Sequence, residues 1–465
     1  MTAKDAARGA RTQLAVVATR AINLASRRIG AGRGSVAGGH VGLLVDPRLL
    51  EHLAAGRRLA LVSGTNGKTT TTRLLAVAIE GRLGAAATNA TGSNMPTGHV
   101  TALAGAQPGA PAVLEVDESY IPQLVASLSP EVVVLLNLSR DQLDRTNEVR
   151  MVANRWQRAL AAAPGTTVVA NADDPLVAWA ARDAARAVWV GAGLSWRADA
   201  VGCPACDGRI VFSASSSGGW GCTCGFARPP LDLWLEDPTG AGGGTTVVVF
   251  ADGRRLPLEL RLPGRFNRAN AAVAAAAAEA FGIPADEALA VMGTVDEVAG
   301  RFATTEIAGV AVRLMLAKNP AGWRELLDLV CPGDGPVVVG INARIADGRD
   351  PSWLWDVPFE RLRGRPVIAT GERYLDLSVR LRYAEVPHLA QGDPIEAVRV
   401  AGEKIGGARG ERQSRAHSQG SHAVDYIGNY TAFYDLLARS GARPTAGGRG
   451  ARRPSSPGAL EETSR

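Results

Sequence analysis

Aromatic side chains are scarce in this sequence of 465 residues, at 5% of the total. A nucleic-acid surface needs stacking platforms and clustered cations. Here the basic residues are scattered, so nucleic acid is not expected as a partner. Long hydrophobic runs are missing as well. No apolar stretch reaches the roughly 18 residues that a membrane span requires. The nearest approach, "LAVVATRAINLA" at 14–25, is broken by Arg20. The start shows no succession of charged, apolar and small residues of the secretory kind, and the expectation is a cytoplasmic protein. Cysteine is rare too. There are five, and four of them lie between positions 203 and 224. In a reducing compartment that clustering argues for a metal rather than for disulfides.

What is present is a chain long enough for two or three domains. With 46% hydrophobic residues it can bury sizeable cores. The formal charge is +6 and the pI about 9.3, with much of the excess at the two ends. The basic start, "ARGARTQLAVVATRAINLASRRIGAGRG", reads as a solvated terminus or as an amphipathic helix resting near anionic lipid at the inner face of the membrane. Residues 1–57 form a helical lead-in. From 58 to about 300, apolar runs ending in polar residues ("LALVSG", "AVLEVDE", "VVVLLNLS", "TVVANADD") alternate with helical patterns. That is a doubly wound α/β domain with buried parallel strands. The cysteine segment interrupts it at 199–228. The alanine-rich "NRANAAVAAAAAEAFGI" is a helix capped by glycine. A second, smaller α/β unit spans 301–440. Within it 406–422 reads as an insertion, and 441–465 as a disordered tail.

The segment "LVSGTNGKTTTT" (61–72) carries the clearest chemistry. Gly64 and Gly67 let backbone N–H groups around Thr65 and Asn66 turn inward on an anion. Lys68 can reach the outer phosphates. Thr69, followed by Thr70, opens a helix and can place its hydroxyl on Mg²⁺. The loop is shorter than the general phosphate-binding pattern, which asks for glycine where Val62 stands. Glu115 ends the apolar run "AVLEVDES", and a carboxylate at that strand end suits an octahedral Mg²⁺ site. Asp117 and Glu118 are either neighbours of that site or residues of a surface turn.

"CPAC", fifteen residues and "CTCG" bring in Cys203, Cys206, Cys222 and Cys224. Four thiolates in two close pairs make a closed tetrahedral Zn²⁺ site, structural rather than catalytic. Cys331, in "LVCPGDG", reads as a small buried apolar residue.

The short G-T-N-G-K-T loop, Glu115 and "GRFNRANAA" (264–272) resemble the Mur ligase family, with folylpolyglutamate synthases as relatives. Adding the four cysteines, "LAKNPAG" (316–322), "ADGRDPSWLWD" (346–356) and "NYTAF" (429–433), the chain resembles the MurT family over roughly residues 10–440. The resemblance implies a Mur-ligase-like P-loop ATPase domain with a zinc-ribbon insertion, followed by a smaller Rossmann-like domain. It implies Glu115 as the magnesium ligand, Asn267 at the adenine with Asn270 second, and Arg301 touching ATP at the hinge. It implies ATP-dependent amidation of the α-carboxylate of D-glutamate in a lipid-linked peptidoglycan precursor, through an acyl phosphate. The ammonia would come from a GatD-type glutaminase partner. Asp350, opening "DPSW", would complete that partner's Cys–His–Asp triad, with Asp356 as the second choice. Two positions depart from the amino-acid-adding Mur ligases: Gln142 replaces a histidine and Trp156 a lysine. They weigh against the alternative of an amino-acid-adding ligase. A zinc-ribbon scaffold with a vestigial ATPase is the non-enzyme alternative, and the intact set of Gly64, Lys68, Thr69 and Glu115 speaks against it.

Overall fold

A computed structural model describes residues 3–28, 36–89, 93–140, 149–213, 219–237, 245–296, 302–331, 334–412 and 424–441. Gln142, Arg301 and all but the first residue of the expected tail lie outside the described residues, as does most of the insertion expected at 406–422.

Two sheets organise the chain. The first has nine strands in the order Arg255–Leu258, Thr246–Phe250, Leu233–Glu236, Arg186–Gly191, Thr167–Asn171, Val132–Leu135, Leu59–Ser63, Ala112–Glu115 and Ala87–Thr88. The strands from Leu233–Glu236 onward pair parallel. The edge hairpin of Thr246–Phe250 and Arg255–Leu258 is antiparallel. Valine-rich strands such as Val132–Leu135 are buried along their whole length, because helices cover both faces. On one face the helices Lys68–Leu83 and Arg265–Ala280 pack together. Residues 271–278, alanines apart from Val273, are all buried there, so the second helix lies close to the sheet. The other face is covered by Leu49–Ala54, Pro96–Gly105, Ile121–Leu128 and Val149–Ala161, around the fully buried Trp156.

The second sheet has six strands, ordered Phe302–Ile307, Val310–Leu316, Val424–Gly428, Val337–Gly340, Val367–Thr370 and His388–Ala390. All but the first pairing are parallel. At its core Trp323 packs against the ring of Trp353 and edge-on against Phe359. The two halves meet where Ser195 Oγ donates to Glu325 Oε1 at 2.9 Å. They meet again where Gly322 lies against the phosphate loop: a Cβ there would be 3.6 Å from Asn66 Oδ1.

Between them in sequence, the described residues 199–213 and 219–228 form a small satellite. A two-stranded sheet, Val211–Phe212 with Trp220–Gly221, carries a small core of Cys203, Ile210 and Trp220. Trp220 Nε1 donates to the Ala172 carbonyl at 3.0 Å and ties the satellite to the main sheet.

Candidate nucleotide and metal sites

Leu59–Ser63 is flanked by Val132–Leu135 on one side and Ala112–Glu115 on the other. The chain reverses its direction of strand addition here, and ligands of open α/β sheets bind at the carboxyl ends beside such a switch. The phosphate loop lies there. Gly64 (φ 140°) and Gly67 (φ 86°) adopt left-handed backbone. A Cβ on Gly67 would fall 2.5 Å from Asn270 Oδ1, and one on Gly64 would fall 2.9 Å from the Leu136 side chain. Both positions favour glycine by backbone conformation, and at Gly64 a side chain would also press on the Asn137 backbone.

The loop is laced to the segment after Val132–Leu135. Thr65 N–H donates to the Asn137 carbonyl (2.9 Å), and Asn66 N–H to Asn137 Oδ1 (2.9 Å). Asn137 Nδ2 returns a bond to the Asn66 carbonyl at 3.1 Å. Thr65 Oγ1 donates to the Ser139 carbonyl (3.0 Å) and accepts from Ser139 N–H (2.9 Å). Leu138 N–H donates in turn to Asp174, whose carboxylate also caps the helix Pro175–Ala181. Burial pushes the Asp174 carboxyl up to about 6.

Lys68, the first residue of the helix Lys68–Leu83, is buried. Its ammonium donates to the carbonyls of Gly64 and Thr65 and lies 3.1 Å from Glu118 Oε1. Thr69 Oγ1 donates to Glu115 Oε2 at 2.8 Å. Adjacent oxygens on an octahedral Mg²⁺ with bonds of 2.0–2.1 Å stand about 2.9 Å apart. The hydroxyl and carboxylate therefore fit a magnesium ion. Thr70 is buried in the same first turn.

Glu115 is itself clamped. Asn89 accepts its N–H (2.8 Å) and donates to its carbonyl (2.7 Å), and His99 Nε2 bonds the same carbonyl at 2.9 Å. The carbonyl can only accept, so the proton sits on Nε2. Burial holds the ring's pKa below its ordinary value. Asn89 and His99 escape a reading of the sequence alone. The one signal is the polar loop "TNATGSNMPTG" just before His99, which reads equally well as a connector.

Glu118 belongs to the site through Lys68, whereas Asp117 caps a turn by accepting from Ser119 N–H. Trp156 donates its indole N–H to the Glu118 carbonyl at 2.8 Å. Asn267 and Asn270 lie buried in the first two turns of Arg265–Ala280. Asn270 reaches the phosphate loop at Gly67, and Asn267 donates to the Pro263 carbonyl at 2.6 Å.

In the second half, three motifs far apart in sequence converge at the carboxyl ends of adjacent parallel strands. The Lys318 ammonium stands 5.1 Å from the Tyr430 ring centre. Asn342 N–H donates to Asn429 Oδ1 (3.0 Å), and Asn429 Nδ2 returns a bond to the Asn342 carbonyl (2.6 Å). Asp347 accepts from the N–H and hydroxyl of Thr431. This frame ends at Asp350, which is exposed and caps the short helical turn Pro351–Asp356 through Ser352 N–H at 2.9 Å. Asp356 lies 3.9 Å from the Arg140 guanidinium of the first half.

The four cysteines come together. Cys203 and Cys224 sulfurs are 3.7 Å apart, those of Cys206 and Cys222 3.6 Å, and all four lie within 4.8 Å of one another. Zinc with Zn–S bonds of about 2.3 Å requires tetrahedral sulfur edges of about 3.8 Å. The Gly208 N–H donates to Cys206 Sγ at 3.4 Å, as thiolate sulfurs in such knuckles require. The set fits a closed four-sulfur metal site. Cys331 stands apart and is only partly buried, with its thiol donating to the Arg361 carbonyl at 3.3 Å.

Residues 62–200 match the family described as Mur ligase middle domain, and residues 316–433 that described as MurT ligase C-terminal. A protein of Streptococcus pneumoniae, "Lipid II isoglutaminyl synthase (glutamine-hydrolyzing) subunit MurT", is 31% identical over 402 residues, 81% of this chain and 88% of the relative. Its namesake in Staphylococcus aureus is 29% identical over 381 residues, 78% of this chain and 85% of the relative. Among solved structures, MurF from Acinetobacter baumannii superposes with a TM-score of 0.61 at 16% identity, covering 86% of this chain and 80% of that one. A pseudomurein peptide ligase type C from Methanothermus fervidus gives 0.59 at 19%, covering 82% and 79%. These two share the fold.

Proposed function

The chain belongs to the MurT family of Mur-type ligases, and from that premise we propose that it amidates the α-carboxylate of D-glutamate in the stem peptide of lipid II. The product is D-isoglutamine, and the protein is an ATP-dependent carbon–nitrogen ligase. One observation carries the reading: two left-handed glycines, a buried lysine and the Thr69–Glu115 oxygen pair meet at the carboxyl ends of two adjacent strands.

The loop N–H groups and the helix N-terminus receive the phosphates of ATP. Asn267, with Asn270 second, holds the adenine, and Arg301 contacts the nucleotide at the hinge. The glutamyl carboxylate attacks the γ-phosphorus. A P–O bond forms, and the bond to ADP breaks with its electron pair. Lys68 stabilises the charge on the phosphoryl group in transfer, by position and electrostatics rather than by covalent chemistry. Thr69 and Glu115 hold Mg²⁺, which when bound neutralises phosphate charge. Ammonia then attacks the acyl carbon, phosphate leaves, and nitrogen loses a proton.

The nitrogen comes from a GatD-type glutaminase subunit. Four of this chain's cysteines are clustered, and burial pushes the Cys331 thiol up, the reverse of what a nucleophile needs. Asp350 enters the partner and orients its catalytic histidine. The exposure of Asp350 supports this, and the proximity of Asp356 to Arg140 makes the latter the weaker choice. The cysteine cluster binds structural Zn²⁺. We assign 58–300 to the ATPase domain and 301–440 to the partner-contacting domain, after the helical lead-in of 1–57. No described helix is long and apolar enough to cross a membrane. The protein would meet its lipid-linked substrate at the inner membrane face.

An amino-acid-adding ligase gains nothing from the structure. Trp156, at the position of that group's lysine, is a fully buried core residue. The deciding experiment supplies the full chain with lipid-linked precursor, ATP and ammonium. ADP and amidated product are expected in equal amounts, and release of neither, or of ADP alone, overturns the proposal.

A further inference from the structure

The first helix, Ala3–Arg28, is packed inside out. Its buried positions are small or polar: Ala15 and Thr19 are fully buried, Asn23 is 6% exposed and Ser26 9%, while Val16 is partly buried against the core. Its outward face carries Leu14 (62% exposed), Val17 (63%) and Leu24 (47%). These positions share one side of a helix. The second helix, Ala37–Val45, adds Leu44 at 69%. A helix on a water-facing surface normally shows the opposite arrangement.

The contact between the two helices is equally unusual for a water-soluble pair. Gly38 and Gly42 are spaced by four and face the first helix. A Cβ on Gly38 would stand 2.2 Å from Asn23 Oδ1, and one on Gly42 2.3 Å from Thr19 Oγ1. Gly38 N–H donates to Asn23 Oδ1 at 3.2 Å, and Asn23 Nδ2 donates to Thr101 Oγ1 at 3.4 Å. Glycine notches and side-chain hydrogen bonds hold helices together when apolar side chains are needed elsewhere. Here those side chains point outward.

We infer that this outward face docks on an anionic bilayer surface, with Leu14, Val17, Leu24 and Leu44 entering the headgroup boundary. Charge selects the bilayer over a protein partner. The first helix carries six basic residues against a single acid, Asp5. Arg11 and Arg20 are exposed and are anchored by their Nε groups to the carbonyls of Val45 and Ala104 (2.6 Å each), and Arg28 is exposed as well. An apolar stripe edged by arginines is the pattern of a helix lying in a membrane interface. The helix Pro96–Gly105, which receives Arg20 and Asn23, also carries His99 to the Glu115 carbonyl. One helix therefore separates the docking face from the magnesium carboxylate. The inference rests on the proposed lipid-linked substrate.

The test is co-sedimentation of the full chain, with its glutaminase subunit, with vesicles of phosphatidylglycerol and phosphatidylcholine, or of phosphatidylcholine alone. The wild type should pellet with the anionic vesicles. Leu14→Gln, Val17→Gln and Leu24→Gln combined should lower the bound fraction about tenfold, since burial of three apolar side chains is lost. Arg28→Glu should lower it less. All four positions are exposed, so melting temperature should not move. A wild type that stays in the supernatant, or a triple variant that pellets like the wild type, overturns the inference. So does a triple variant that sheds the glutaminase subunit yet still binds vesicles. Amidation of detergent-dispersed precursor, run in parallel, separates the two claims. Amidation without vesicle binding defeats the docking face alone, and absence of amidation by the wild type defeats the functional reading.

Discussion

Two loops at the carboxyl ends of parallel strands are finished differently. The phosphate loop after Leu59–Ser63 is tied on every side: Thr65, Asn66 and Lys68 all bond back into the same half of the chain. The segment after Val337–Gly340 is tied at Asn342 and Asp347, then releases Asp350 into solvent with a single bond to Ser352. A group that acts on a ligand held within its own chain is buried and preorganised. A group that works inside another polypeptide has to be left bare until the two meet. On the proposed reading the first loop is a complete site and the second is half of one.

The sharpest way to break that contrast is to feed the enzyme two nitrogen sources. Asp350→Asn keeps the cap on Ser352 but removes the charge. Glutamine-driven amidation by the complex should fall by about 10,000-fold, the scale seen when a triad loses its carboxylate. Turnover with free ammonium should stay within about twofold. Equal losses with both sources would place Asp350 in the synthetase chemistry instead. Lys68→Ala is the mirror experiment. It should lower ADP release by about 100- to 1000-fold whichever nitrogen source is used. A variant that turned over ammonium at the wild-type rate would remove the phosphate loop from the mechanism.

The same contrast governs what a sequence reader can see. The phosphate loop was legible because its signal is local. Two glycines, a lysine and a threonine sit within six residues, between a strand pattern and a helix pattern. Glu115 and the cysteines were legible for similar reasons, as a carboxylate at a strand end and two short thiol pairs. The supports of these groups were not. Asn89 clamps Glu115 from 26 residues away, Asn137 holds Asn66 from 71, and Asn429 meets Asn342 from 87. Asparagines in polar segments are indistinguishable from turn residues until strand order puts them side by side. The inverted first helix was half legible. Its arginines and leucines are plain in the sequence, but which face is buried depends on the glycines of the next helix.

On the proposed reading the cysteine cluster is a third kind of construction, in which a bound ion would share with the fold in holding the geometry. Its core is only a few residues, and a handful of bonds, among them Trp220 to the Ala172 carbonyl, Arg228 to Asp173 and Arg150 to the Pro204 carbonyl, join it to the rest of the first half. Cys203→Ser, or extraction of the metal by a strong chelator, should cost about 3 kcal/mol of stability, the scale of a lost structural metal in a small subregion. Zinc content measured on the purified chain should fall from one equivalent to none. Ammonium-driven turnover well below the melting temperature should change little, because the phosphate loop is held by other bonds. A large loss of turnover at full stability would make the cluster part of the active site.

The smallest effect is expected where the two halves touch. Glu325 accepts from Ser195 Oγ, and burial pushes its carboxyl up to about 7, with Asp328 adding to the rise and Ser195 and Arg265 opposing it. The unfolded chain would bind that proton only below about 4.5, so between 4.5 and 7 the folded state holds the extra proton. Stability from this group is therefore fully present below 4.5 and is lost as pH rises through 7. Glu325→Gln keeps an oxygen for the Ser195 hydroxyl and cannot ionise. Urea unfolding at pH 5 to 8 should show the wild type losing on the order of 1 kcal/mol more than the variant as pH rises. Parallel curves for the two proteins would mean that Glu325 stays ionised throughout. The contact between the halves would then be insensitive to pH, with the charge on the glutamate carried by Arg265.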